Sequence, residues 1–103
     1  MTSKEIALDT LKDICNSCNT ALPPVVWCEK AENYINIAFQ VARYNNRAVT
    51  AVAKEIAKTA ESISYQLSAG VGMGIYKALA YWYHAGWLKS TEINAARKLL
   101  DLR

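Results

Sequence analysis

The residues that interrupt helices fall in four short stretches of this 103-residue chain, and between them polar side chains recur at helical spacing. The breaks are Asn19 to Pro24, Asn45-Asn46, Gly70 to Gly74 and Gly86. In the first segment Glu5, Asp9, Lys12 and Asn16 line one face, opposite Ala7, Leu8, Leu11, Ile14, Cys15 and Cys18. Thr2 and Glu5 have the spacing of a capping box, in which each side chain satisfies a backbone N–H of the other. The second segment alternates locally as a strand would, through Ile35, Ile37, Phe39 and Val41. Glu29, Asn33, Asn36, Gln40 and Arg43 nevertheless form an unbroken i, i+4, i+3 stripe, and Pro24 is suited to a first helical turn. Helix is the expectation there, with Ile37 on its flank.

The third segment has an apolar face of Val49, Val52, Ala53, Ile56, Ala60, Ile63 and Leu67, with Asn46 placed to cap it. Ile75 to Ala85 reads as a fourth helix, closed by Gly86 as a left-handed cap that would fold Trp87 back on Trp82. A last helix places Ile93, Ala96, Leu99 and Leu100 inside, and Thr91, Asn94, Lys98 and Asp101 outside. The expected architecture is an all-α bundle of about five helices, at 3–18, 24–44, 47–69, 74–85 and 91–102, forming one domain over 1–103. The chain's size and predicted architecture are similar to those of small helical bacteriocin-immunity proteins, a likeness of fold with no shared motif.

Composition narrows the class. A chain that is 52% hydrophobic with a net charge of +3 is built to bury a core rather than stay disordered. With 4 Gly and 2 Pro it is neither collagen-like nor a linker. The charge is uneven: residues 1–40 hold three lysines and five acidic residues, whereas 41–103 hold nine basic and four acidic. Met1 to Thr20 has no uninterrupted apolar run, and three cysteines are an odd count. A cytoplasmic protein with reduced thiols is expected. Val71 to Leu88 is mostly apolar, but Lys77 and His84 interrupt it, so a buried or interface helix is favoured over a membrane span.

Sites of chemistry are sparse. Cys15, Cys18, Cys28 and His84 supply a ligand count that zinc accepts. The two cysteines of the CxxC lie on an apolar helical face, however, and no second CxxC exists, so buried thiols without metal are favoured. The same pair falls near a helix C-terminus, where the dipole raises a thiol pKa, which argues against redox catalysis. Gly70, Gly72 and Gly74 spell GxGxG, but a helix precedes them and the spacing differs from the dinucleotide fingerprint; close backbone packing or a connection is expected. One histidine and no convincing pair of buried carboxylates leave hydrolysis without a base and an orienting group. Only Glu92, and less clearly Glu32, depart from the solvent stripes. No enzyme activity and no cofactor are expected.

Two binding surfaces compete. Tyr76, Tyr81, Trp82, Tyr83 and Trp87 place half of the chain's aromatics in twelve residues. Ile75, Leu79 and Trp82 share one face, flanked by Tyr76 and Tyr83; the remainder carries only Lys77, Tyr81 and His84. A central helix enclosed by the others explains this pattern, and so does an interface helix. The leading expectation is a protein–protein interaction module (an inhibitor, adaptor, immunity-type factor or regulatory subunit) acting through Lys77, Tyr81, His84 and Trp87, with self-association through the same face. The alternative is a nucleic-acid-binding regulator using Arg47, Lys54 and Lys58. Its helix-turn-helix pattern has Ala57 where a turn glycine belongs and Lys58 where an apolar residue belongs.

Overall fold

Five helices and no strand make up the computed structural model, which describes residues 1–101 and is 78% helical. They are α1 (Ser3–Ser17), α2 (Pro24–Tyr44), α3 (Val49–Ser62), α4 (Val71–His84) and α5 (Ser90–Ala96). Short 3₁₀ segments follow α3, at Ser64–Gln66, and α5, at Arg97–Asp101. The expected all-α bundle is the observed fold.

Local chemistry explains where most of these helices begin and end. Thr2 caps α1 by the reciprocal pair: Glu5 N–H donates to Thr2 Oγ1 at 3.1 Å and Thr2 N–H to Glu5 Oε1 at 3.0 Å. Hydrogen bonding of the Glu5 carboxyl to the Thr2 backbone and, secondarily, to the Thr2 side chain holds it below its ordinary pKa. Pro24 opens α2. Gly86 (φ +90°) ends α4 in a Schellman motif: Trp87 N–H donates to the Trp82 carbonyl at 2.9 Å and Gly86 N–H to that of Tyr83 at 3.0 Å. Trp87 folds onto Trp82 as expected, with ring centroids 5.8 Å apart.

Several expectations need correction. Asn46 does not cap α3; it ends α2. At φ 56° it takes the left-handed position of a second Schellman motif, in which Arg47 N–H reaches the Ala42 carbonyl at 2.8 Å. Helix α3 therefore starts at Val49 rather than 47 and stops at Ser62 rather than 69. Ser62 Oγ takes up the Thr59 carbonyl at 2.9 Å, the backbone tightens into the 3₁₀ turn, and extended Leu67 (3% exposed) re-enters the core.

Helix α4 begins at Val71, before the expected 74, so that Gly72 and Gly74 lie within it. Past Ala96 the chain winds at three residues per turn. Ile93, Ala96 and Leu99 stay buried, while Leu100, expected inside, is 40% exposed. The expected end of that helix, at 102, lies outside the described residues. Leu8, also expected inside, is 43% exposed, because the buried row of α1 runs through Ile6, Ala7, Leu11 and Ile14.

The pairing of α2 with α4 organises the core. A Cβ on Gly70 would sit 2.1 Å from the Pro24 carbonyl oxygen, and one on Gly74 would sit 2.2 Å from that of Cys28. Farther along, Trp82 meets Phe39 edge-on at 5.0 Å and donates Nε1–H to Asn36 Oδ1 at 3.0 Å. Arg43 then lies over Trp87. These contacts advance together along both helices, so α2 and α4 run parallel. Gly74 on α4, set against Ala31 and the Cys28 backbone of α2, lets them approach closely. Helix α3 connects the two and packs on α1, while α5 closes the bundle against α3 and α4.

Candidate functional site

The fourth helix is two-sided. Val71, Gly72, Gly74, Ile75, Ala78, Leu79 and Trp82 are buried, Tyr76 and Tyr83 are half-buried, and Met73, Lys77, Tyr81 and His84 form an exposed row. The helix is thus neither enclosed on all sides nor detached from the core. Tyr81 is 68% exposed and Trp87 43%, whereas Trp82 between them in sequence is 5% exposed.

Parallel packing brings the C-terminal halves of α2 and α4 side by side, and a cleft of about 220 Å³ lies between them. Its lining is Gln40 and Arg43 from α2 with Tyr81, Trp82, Ala85 and Trp87 from α4 and its exit turn. The Arg43 guanidinium carbon stands 4.5 Å from the Trp87 ring centroid, a cation–π contact. Trp82 forms the inner wall, fixed by Phe39 and by its hydrogen bond to Asn36. Of the four residues expected to bind a partner, Tyr81 and Trp87 enter the cleft. Lys77 and His84 lie on the adjoining α4 row, each one turn from Tyr81, and His84 packs against the Tyr83 ring with centroids 5.3 Å apart.

Sequence reasoning missed Gln40 and Arg43. Both sat on the solvent stripe of α2, and nothing local linked that stripe to α4. The i, i+4 row of small residues starting at Gly70 and Gly74 was the available signal for a close helix pair. No acidic residue occurs from 33 to 54 or from 62 to 91, so neither helix brings a carboxylate to this cleft. A volume this size is also smaller than the roughly 300–1,000 Å³ of small-molecule sites.

The basic residues of α3 sort differently. Lys54 and Lys58 are exposed and border a second cleft, of about 280 Å³, with Ala57, Glu61, Ala95 and Lys98. Arg47 is not part of it: its Nε–H donates to the Met1 carbonyl at 2.8 Å, tying the α2–α3 turn to the N-terminus. Helix α3 runs unbroken through Ala57, without the turn a helix-turn-helix requires.

Beside this cleft Glu92 is 1% exposed. Its carboxylate accepts the Lys89 N–H at 2.8 Å and a short hydrogen bond from Thr91 Oγ1. Burial alone would raise its pKa; the bonds from Thr91 and Lys89 and the charges of Lys54 and Lys89 outweigh it and hold the carboxyl below its ordinary value. The glutamate that broke the solvent pattern in the sequence is thus an anchor for the start of α5.

The three cysteines are free, half-buried thiols. Burial, reinforced by neighbouring Cys18, pushes the Cys15 thiol above its ordinary pKa, the reverse of what an activated thiol needs. They do not converge with His84: among the described residues no group of three or more His, Cys, Asp or Glu side chains is placed to hold a metal. Cys18 instead borders a cleft of about 460 Å³ between the α1–α2 and α3–α4 connections, with Leu22, Trp27 and Ser68 among its lining. Among the described residues no helix is long and apolar enough to cross a membrane.

Comparison with known proteins adds no further constraint: no family model, no curated protein and no solved structure matches the chain.

Proposed function

We propose that this protein is a non-enzymatic protein–protein interaction module that binds its partner through the exposed side of α4 and the adjoining α2–α4 cleft. One observation carries the reading: Tyr81 on α4 and Trp87 just past its cap remain exposed although the opposite side of the helix is committed to the core, and they flank a cleft rather than bare surface. Tyr and Trp supply large contact areas at low entropy cost and dominate interface hot spots. Lys77 and His84 extend the surface along α4. The contact would serve inhibition, adaptation, immunity-type neutralisation or regulation of a larger protein, or self-association, in a reducing cytoplasm that suits three free thiols.

The test compares proteins that co-purify with the wild type and with a Y81A/W87A variant from the native host, identified by mass spectrometry. Loss of specific co-purifying proteins at unchanged helicity is the expected result. Unfolding of the variant would assign both residues to the core and remove the site.

A second reading, nucleic-acid binding through α3, is supported by the way Lys98 joins Lys54 and Lys58 at one cleft. Glu61 on the same rim and the charge that Lys54 directs at Glu92 weigh against it. Fluorescence anisotropy against mixed duplex DNA at low salt decides: binding that weakens with salt and is lost in K54E/K58E supports this reading, and absence of binding removes it.

A further inference from the structure

We propose that the occupant of the α2–α4 cleft is an acidic peptide segment of a partner protein, carrying an aromatic or aliphatic anchor flanked by carboxylates. The inference rests on the interaction reading above and specifies the chemistry of its partner. Charge complementarity carries it. The two stretches of chain that build the cleft contain no acidic residue, while Arg43 lines it and Lys77 lies one turn from Tyr81. A partner carboxylate placed here meets no like charge from either helix, and a partner lysine would find no counter-ion there.

The geometry assigns the parts. Arg43 covers the face of Trp87 at 4.5 Å, and its N–H donors lie in the guanidinium plane, so the cation–π contact leaves them for a carboxylate. Tyr81 and Trp87 offer apolar walls, with Trp82 held rigidly behind them by Phe39 and Asn36. At about 220 Å³ the cleft accepts a side chain rather than a whole metabolite. A tract of single-stranded nucleic acid would need positive groups tracking its backbone, whereas one arginine lines this cleft.

The probe is a random peptide display library panned on the immobilised full-length protein, with the Y81A/W87A and R43E variants panned in parallel. Arg43 is exposed, and R43E is panned once its helicity and melting match the wild type. The expected result is enrichment of peptides that combine Asp or Glu with Trp, Phe or Leu. Their affinity should fall as salt is raised and drop at least about tenfold in R43E. R43E panned alone should enrich basic rather than acidic sequences.

Peptides without acidic bias that still require Tyr81 and Trp87 would overturn the acidic partner and leave the interaction reading standing. No enrichment, or enrichment indifferent to Y81A/W87A, would remove the face as a binding site and both readings with it. Oligo-dT retained through Tyr81 and Trp87, or a dimer of this chain broken by Y81A/W87A, would give the cleft to another occupant and overturn the proposal.

Discussion

The two sides of α4 obey different physics although they share one backbone. Its inner side is filled by the chain itself: Val71, Ile75, Leu79 and Trp82 are buried, and at Gly74 the Cys28 carbonyl occupies the place of a side chain. Its outer side is selected for size, with Met73, Tyr81 and, past the cap, Trp87 presented to solvent. Burial stabilises the fold only where the partner surface is already in the chain. Large aromatic groups left outside that contact contribute little to folding, which is the basis for the proposal that they meet a partner.

Four substitutions break or sharpen this contrast. The largest effect is expected for G74A. The added Cβ meets backbone, which has no rotamer to move into, so the helices must part at a cost of about 3 kcal/mol or more. Urea denaturation should show it as a lower midpoint; an unchanged midpoint would mean that α2 and α4 are not in backbone contact.

Next comes E92Q, which probes a neighbouring corner held by charge rather than by close packing, with an expected loss of about 2 kcal/mol at neutral pH. The Glu92 pKa in the folded protein is below its ordinary 4.5, so its contribution is complete above that value and is lost as pH falls through the folded-state pKa. Thermal melts of wild type and E92Q should therefore differ at pH 7 and converge as the pH is taken down through the folded-state pKa, below 4.5. A difference that persists in acid would show that the carboxylate is not the source.

G86A should cost about 1–2 kcal/mol, because only the left-handed φ of +90° is strained and no atom lies within 4 Å of the new Cβ. Set beside G74A, it separates a glycine required for space from one required for conformation. The smallest effect on folding is expected for Y81A, within about 0.5 kcal/mol by denaturation, with the loss appearing in partner binding instead. A destabilisation as large as that of G74A would mean that the outer side of α4 is also core.

Much of the fold was legible because it depends on neighbours in sequence. The Thr2–Glu5 box, Pro24 at the start of α2, and the Gly86 turn that lays Trp87 on Trp82 are all set within a few residues. Failures occurred where one local signal served two ends. Asn46 could cap α3 or terminate α2, and the Arg47–Ala42 hydrogen bond decided for the latter. The GxGxG stretch read as a break because glycine disfavours a helix interior by about 1 kcal/mol. Contact with α2 overrides that cost by admitting the Pro24 and Cys28 backbones.

The site divides along the same line. Periodicity alone placed Lys77, Tyr81 and His84 on one row of α4 and set Trp82 apart from them, since the helical repeat is a property of the chain. That Tyr81 and Trp87 face a cleft, that Arg43 lies over Trp87, and that Arg47 is tied to Met1 instead of joining Lys54 were decided only by tertiary structure. These are pairings between segments tens of residues apart. Their register is set by how closely two helices pack, and no single helix carries that information in its own pattern.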